Sequence, residues 1–205
     1  MRDSPSPAGS LGSSDPAARA ETGDPSAVRQ LSTRVAYETP WIRVHEDEVL
    51  WPGGVTDVYS FVERDDYALV LPREGEGFWL VEQYRYPVRR RAWEFPAGSW
   101  PHGAAGGDAV ALARAELREE TGVRAGRLQH LGRLDEAYGF VAQAVDVFLA
   151  EDLEHGEHER EETERDMVQR WFSDREVTEL VRTGAMVGTS SVAALALFWM
   201  HRGVR

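Results

Sequence analysis

Three glutamates, Glu116, Glu119 and Glu120, stand at i, i+3 and i+4 of a segment that opens after Asp108 and stops at Gly122. No other feature of the chain limits its fold as much. Asp108 is a good N-cap and Gly122 suits a left-handed C-terminal cap, so the spacing predicts a helix over about residues 109–121. Val110, Leu112, Ala113, Ala115 and Leu117 give that helix an apolar stripe for a core, and the carboxylates then crowd together on one face. Like charges at this spacing cost roughly 0.2–0.5 kcal/mol per pair, and anions in the last turn meet the negative end of the helix dipole at about 0.3–1 kcal/mol more. Two readings offset that cost. Arg114 and Arg118 can lace the helix into a solvated, salt-bridged face, or a hard divalent cation can take the carboxylate oxygens as ligands while leaving room for water and phosphate.

The helix stands amid short strand-like runs. Residues 41–51 alternate apolar and charged side chains up to the turn Pro52-Gly53-Gly54, and residues 55–62 return as the second arm of a β-hairpin. Residues 67–71 and 78–84 read as paired strands across a polar turn at 73–77, and residues 93–98 form a brief strand before a glycine-rich loop at 99–107. Further strands are expected at 128–134, 141–150 and 167–172, then helices at 174–183 and 190–201. Strands and helices mixed in this order indicate an α/β sandwich rather than a regular doubly wound sheet.

With 205 residues, the chain fits one domain. Residues 1–28 are rich in Ser, Pro, Ala, Gly and Asp and read as a disordered tail, which leaves 29–205 as the domain. There is no cysteine, so disulfides, thiolate metal sites and a cysteine nucleophile are excluded, in keeping with a cytoplasmic protein. No signal peptide and no apolar run of roughly 18 residues is found, so no membrane partner is expected. A net charge of -12 opposes nucleic-acid binding, yet an acidic chain can act on a phosphate ester when divalent cations sit between the two.

Glu94-Phe95-Pro96-Ala97-Gly98, a glycine-rich loop, and then Ala115-Glu116-Leu117-Arg118-Glu119-Glu120-Thr121-Gly122-Val123 together resemble the signature box of the Nudix hydrolases. The likeness spans roughly residues 33–201. Trp41-Ile42, Glu82-Gln83-Tyr84-Arg85-Tyr86 and residues 93–98 are similar to the ADP-ribose pyrophosphatase branch. The resemblance implies a Nudix-like α/β/α sandwich with a mixed β-sheet and an N-terminal antiparallel hairpin. Two positions depart from the pattern: Ala115 stands where the box has arginine, and Gly107 stands at its first glutamate when counted back from the helix. Counted forward from Gly98, the loop is three residues too long.

The resemblance implies a hydrolase using Mg²⁺ or Mn²⁺ to cleave the pyrophosphate of a nucleoside diphosphate-linked small molecule. ADP-ribose or another ADP-sugar is the first choice, with AMP and a sugar phosphate as products. Glu116, Glu119, Glu120 and the carbonyl of Gly98 would hold metal. A glutamate from the acidic run 157–166 would remove the proton, Glu164 ahead of Glu161 and Glu162. Glu94 would bind metal or a substrate hydroxyl, or else hold the turn as a partnered carboxylate. Arg85, with Arg89, Arg90 and Arg91, would meet phosphate or form a surface basic cluster. Trp41, Trp100 and Tyr138 would stack on a base or pack in the core, and His102 is expected to be exposed. Where the branch commonly carries a proline, this chain reads Glu136-Ala137-Tyr138-Gly139-Phe140, so a dinucleoside polyphosphate is a second substrate candidate. Ala115 also leaves open a nucleotide-binding sensor without turnover. Relatives of this branch pair through their N-terminal strands, which implies a homodimer.

Overall fold

The computed structural model describes residues 27–100, 108–160 and 162–203. Nearly all of the expected tail, the glycine-rich loop with His102 and Gly107, and Glu161 lie outside these residues. The chain divides into two compact units, one of residues up to 34 with 46–59 and the other of residues 35–45 with 60–205.

The first unit holds the turn that joins β2 (Arg43–Leu50) to β3 (Thr56–Glu63). Trp51 and Val55 close it through backbone hydrogen bonds, and Gly53 and Gly54 take φ of 96° and 88°, values that favour glycine. One more strand precedes them, β1 (Arg29–Glu38), which the sequence reading did not include. Every residue of β1 is exposed. β1, β2 and β3 lie side by side in a four-stranded sheet completed by β9 (Val141–Ala142), parallel to the end of β3.

The second unit is built on β4 (Tyr67–Glu74), β5 (Gly77–Arg85), β6 (Arg90–Glu94), β7 (Ala97–Gly98), β8 (Arg124–Asp135), β10 (Ala144–Glu154) and β11 (Val168–Ser173). The main path is β11-β5-β4-β10-β8, with β6 on β5 and β7 on β4. β10 runs parallel to β4 and antiparallel to β8, which makes the sheet mixed. Its central strands are buried on both faces, so they read as apolar runs instead of alternating. Leu69, Leu71, Val145, Val147 and Leu149 face a core shared with α2 (Asp174–Thr183) and α3 (Thr189–His201), while Ala68, Val70, Phe148 and Ala150 face α1 (Ala109–Thr121). Phe78 meets Phe198 and Phe95 edge to face at 5.0 and 5.5 Å, a geometry that adds about 0.5–1.5 kcal/mol per pair beyond area burial.

The expected single strand over 141–150 is two strands. Gln143 lies between β9 and β10, and its amide donates to the carbonyl of Asp65 at 2.7 Å. The chain therefore leaves one sheet and enters the other at that residue. No described helix is long and apolar enough to cross a membrane.

Candidate active site

α1 spans the residues its capping signals predict. The Asp108 carboxylate accepts from the amide of Ala111 at 2.8 Å, and Gly122 ends the helix at φ 72°. Ala113 and Leu117 carry its buried stripe into the core, and the next position of that stripe, one turn further on, is Glu120. The carboxylate is 2% exposed, and its Oε2 has no hydrogen-bond partner. Burial pushes the Glu120 carboxyl well above its ordinary value, and the charges of Glu116, Glu164 and Glu94 push it in the same direction; Arg85 opposes them. A buried, unpaired carboxylate oxygen costs several kcal/mol at least in order of magnitude, so packing does not explain this residue.

Gly98, at the end of β7, lies directly against Glu116. A Cβ at residue 98 would fall 2.5 Å from the Glu116 carboxylate oxygens. The missing side chain thus lets the Glu116 carboxylate pack directly against the backbone of β7. Glu94 sits on β6, and burial raises its carboxyl, partly offset by Arg85. Arg85 reaches both Glu94 oxygens, through Nη2 at 2.8 Å and Nε at 3.2 Å. Glu94 is thus ion-paired with Arg85 while its Oε1 has no hydrogen-bond partner, and it lies within electrostatic reach of Glu120.

The acidic run is docked on the end of α1. The amide of Glu159 donates to the Glu119 carbonyl at 3.0 Å, and the guanidinium of Arg118 lies 3.3 Å from a Glu119 oxygen and 3.7 Å from one of Glu159. Arg160 donates from Nε to the Glu120 carbonyl at 2.8 Å. A Cβ on Gly122 would meet the Gly156 carbonyl at 2.3 Å, so backbone lies against backbone at this point. Glu164 closes a short 3₁₀ turn, Glu162–Glu164, and faces the same carboxylate cluster. No three carboxylate or imidazole groups among the described residues converge on one point as ligands of a single cation would. What the cluster provides is concentrated negative charge and two buried carboxylate oxygens without a hydrogen-bond partner, Oε1 of Glu94 and Oε2 of Glu120, beside the Gly98 backbone; oxygen donors of this kind suit a hard cation.

The other sequence candidates lie elsewhere. Trp41 is 75% exposed beside a shallow concavity lined by Pro40, Arg43 and Glu63, and Tyr138 is 87% exposed in a turn. Trp100 packs at the edge of the core beneath α1. Arg91 is bound to Glu82 and Asp166, and Arg90 donates to the Gly184 carbonyl, so both have structural partners. Sequence reasoning missed Arg160. The available signal was a cation inside a run of acids. It also missed Glu136, whose Oε1 accepts from the hydroxyls of Tyr67 and Ser190, each at 2.5 Å, tying β8 to α3.

Comparison with known proteins accounts for this architecture. Residues 28–62 match a nucleoside diphosphate sugar hydrolase N-terminal domain, and residues 63–187 match a NUDIX domain. The chain is 34% identical over 167 residues to an ADP-ribose pyrophosphatase of Mycobacterium tuberculosis, covering 80% of each, and 33% identical over 129 residues to one of Bacillus subtilis, covering 62% of this chain and 68% of the relative. The crystal structure of an ADP compounds hydrolase shares the fold, with a TM-score of 0.74 at 19% identity, covering 87% of this chain and 97% of that one. The chain belongs to the Nudix family and is a Nudix pyrophosphohydrolase related to the ADP-ribose pyrophosphatases.

Proposed function

We propose that the chain hydrolyses the pyrophosphate of ADP-ribose or another ADP-sugar, releasing AMP and a sugar phosphate, with Mg²⁺ or Mn²⁺ as cofactor. Nudix hydrolases use divalent cations, and the observation that carries the reading is the buried, unpaired Glu120 carboxylate beside Glu116, Glu164 and Glu94. Glu116, Glu119, Glu120 and the carbonyl of Gly98 would hold the metal. When bound, it supplies Lewis-acid stabilisation of the phosphate oxygens and acidifies water. Glu164 takes the proton of the attacking water as that water closes on phosphorus. Glu94 keeps Arg85 aimed at the incoming pyrophosphate. Trp41 and Tyr138 are exposed enough to stack on a base. The working unit would be a homodimer of residues 29–205, with residues 1–28 outside the fold.

The reading is tested by turnover of ADP-ribose, ADP-glucose, GDP-mannose, NADH and diadenosine polyphosphates with each cation, comparing the native chain with Glu120→Gln. Metal-dependent AMP release from ADP-ribose or ADP-glucose that drops at least about 100-fold in the variant supports it. Preference for diadenosine polyphosphates would move the substrate. Tight nucleotide binding with no turnover would instead make the chain a sensor, the outcome that Ala115 in place of the box arginine would favour.

A further inference from the structure

Acidic runs on surfaces are ordinarily solvated, and a base carried on one would arrive by chance. Here one half-buried guanidinium within the run links it to two other elements. Arg160 donates from Nε to the carbonyl of Glu120, in the last turn of α1, and from Nη1 to the carbonyl of Met167, immediately before β11. The amide of Met167 in turn donates to the carbonyl of Glu164 at 2.9 Å. An unbroken chain of hydrogen bonds therefore runs from the metal-holding helix through Arg160 to the turn that carries Glu164. Beyond it, Arg91 grips Asp166 through side chain and backbone at 2.6 and 2.8 Å, closing the far end. Burial lowers the Arg160 guanidinium below its ordinary value, and the nearby charges of Glu120 and Glu164 offset part of that cost.

Both carbonyls bound by Arg160 belong to buried residues, Glu120 and Met167, so Arg160 enters the fold to satisfy them. It does so among like-charged acids that would otherwise repel one another. A planar fork suits the task, since its donors point in fixed directions and two carbonyls on different elements can be held at once. We infer that Arg160 is the positioning residue for Glu164: by bridging Glu120 and Met167 it seats the Glu164 carboxylate opposite the helix glutamates.

This inference rests on the reading of Glu164 as the proton acceptor, and a double-mutant cycle separates the two. Native protein, Glu164→Gln, Arg160→Ala and the double variant are assayed for kcat and KM on the best substrate of the panel. Amide exchange is followed across residues 157–166 in each. Loss of the base lowers kcat by about 10²–10⁴-fold. Arg160→Ala lowers kcat by about 10–100-fold with KM held within about threefold, as removal of a group supporting a metal-site residue does. In the double variant the second loss is missing: its kcat stays within about threefold of Glu164→Gln, because Arg160 acts through a residue already disabled. Exchange at 157–166 quickens when Arg160 is gone. Arg160→Lys keeps the charge without the fork, and its intact fold with an intermediate kcat keeps the result readable if the alanine variant melts. Native turnover in Arg160→Ala, or losses that multiply in the double variant, overturn the inference. Native turnover in Glu164→Gln removes the base assignment itself. The exchange readout stands whether or not any substrate is turned over.

Discussion

Glu120 occupies a position that the helix period reserves for a core residue. Its carboxyl is raised in the fold, so over the window from the ordinary carboxylate range up to its raised value the folded chain binds more protons than the unfolded one. Stability in the absence of metal then falls as pH rises through that window, and the cost is fully present above it. Glu120→Gln removes the charge while keeping the shape. In chelator, at pH above the raised value, the variant is expected to melt higher than the native chain, by about 2–4 °C for each kcal/mol relieved in a chain of this size. Its melting temperature should also fall less than the native chain's as pH rises from the ordinary carboxylate range. Adding Mg²⁺ should raise the native melting temperature and leave the variant where it was. Gly98 acts at the same scale by what it lacks. The nearest atoms to an added Cβ are the end of the flexible Glu116 side chain, so Gly98→Ala should fold with native stability yet bind Mg²⁺ about 10-fold or more weakly by calorimetry, because the Glu116 carboxylate is displaced.

Between the end of α1 and the acidic run, contact is made through backbone. Gly122 has φ 72°, and its missing Cβ leaves room for the Gly156 carbonyl. Gly122→Ala should therefore cost about 1–3 kcal/mol from the left-handed backbone alone, more once the run is pushed off, and urea melts with exchange at 157–166 will show both effects. That contact was not visible in the sequence, where Gly122 reads only as a helix cap. The caps of α1 were legible: Asp108 and Gly122 bound it where the residues predict, because capping is local chemistry, whereas the Ser173–Glu176 capping box of α2 was not read from the sequence. β1 was missed although Leu31, Thr33, Val35 and Tyr37 alternate, since the reading gave weight to the polar residues between them. The break at Gln143 was hidden because Val141, Ala142 and Ala144 share one apolar texture while pairing with different sheets. Glu116, Glu119 and Glu120 were legible from spacing and pattern; the pairing of Arg160 with two distant carbonyls depends on how the chain folds back, which no periodicity records.

At the scale of the whole molecule, charge and surface govern behaviour. A net charge of -12 means the chain repels its own anionic substrate at long range, and the repulsion is screened within about 10 Å at 0.1 M salt. Raising KCl from 20 to about 150 mM should therefore lower KM for ADP-ribose while kcat holds, and unchanged KM would show that steering has no part in binding. A chain beginning at Ala27 should keep both constants, since residues 1–26 contain little apolar material to bury.

β1 has ten residues, all of them exposed, with Leu31, Val35 and Tyr37 among them. An exposed edge of apolar and hydrogen-bonding groups is a template for pairing, and the proposed homodimer would use it. Mass action would then enter the enzyme's own thermodynamics: melting temperature should climb with protein concentration, and specific activity should sag on dilution towards nanomolar and recover when the stock is concentrated again. A cell could thus set the working fraction of this hydrolase by how much of it is made, with no effector needed.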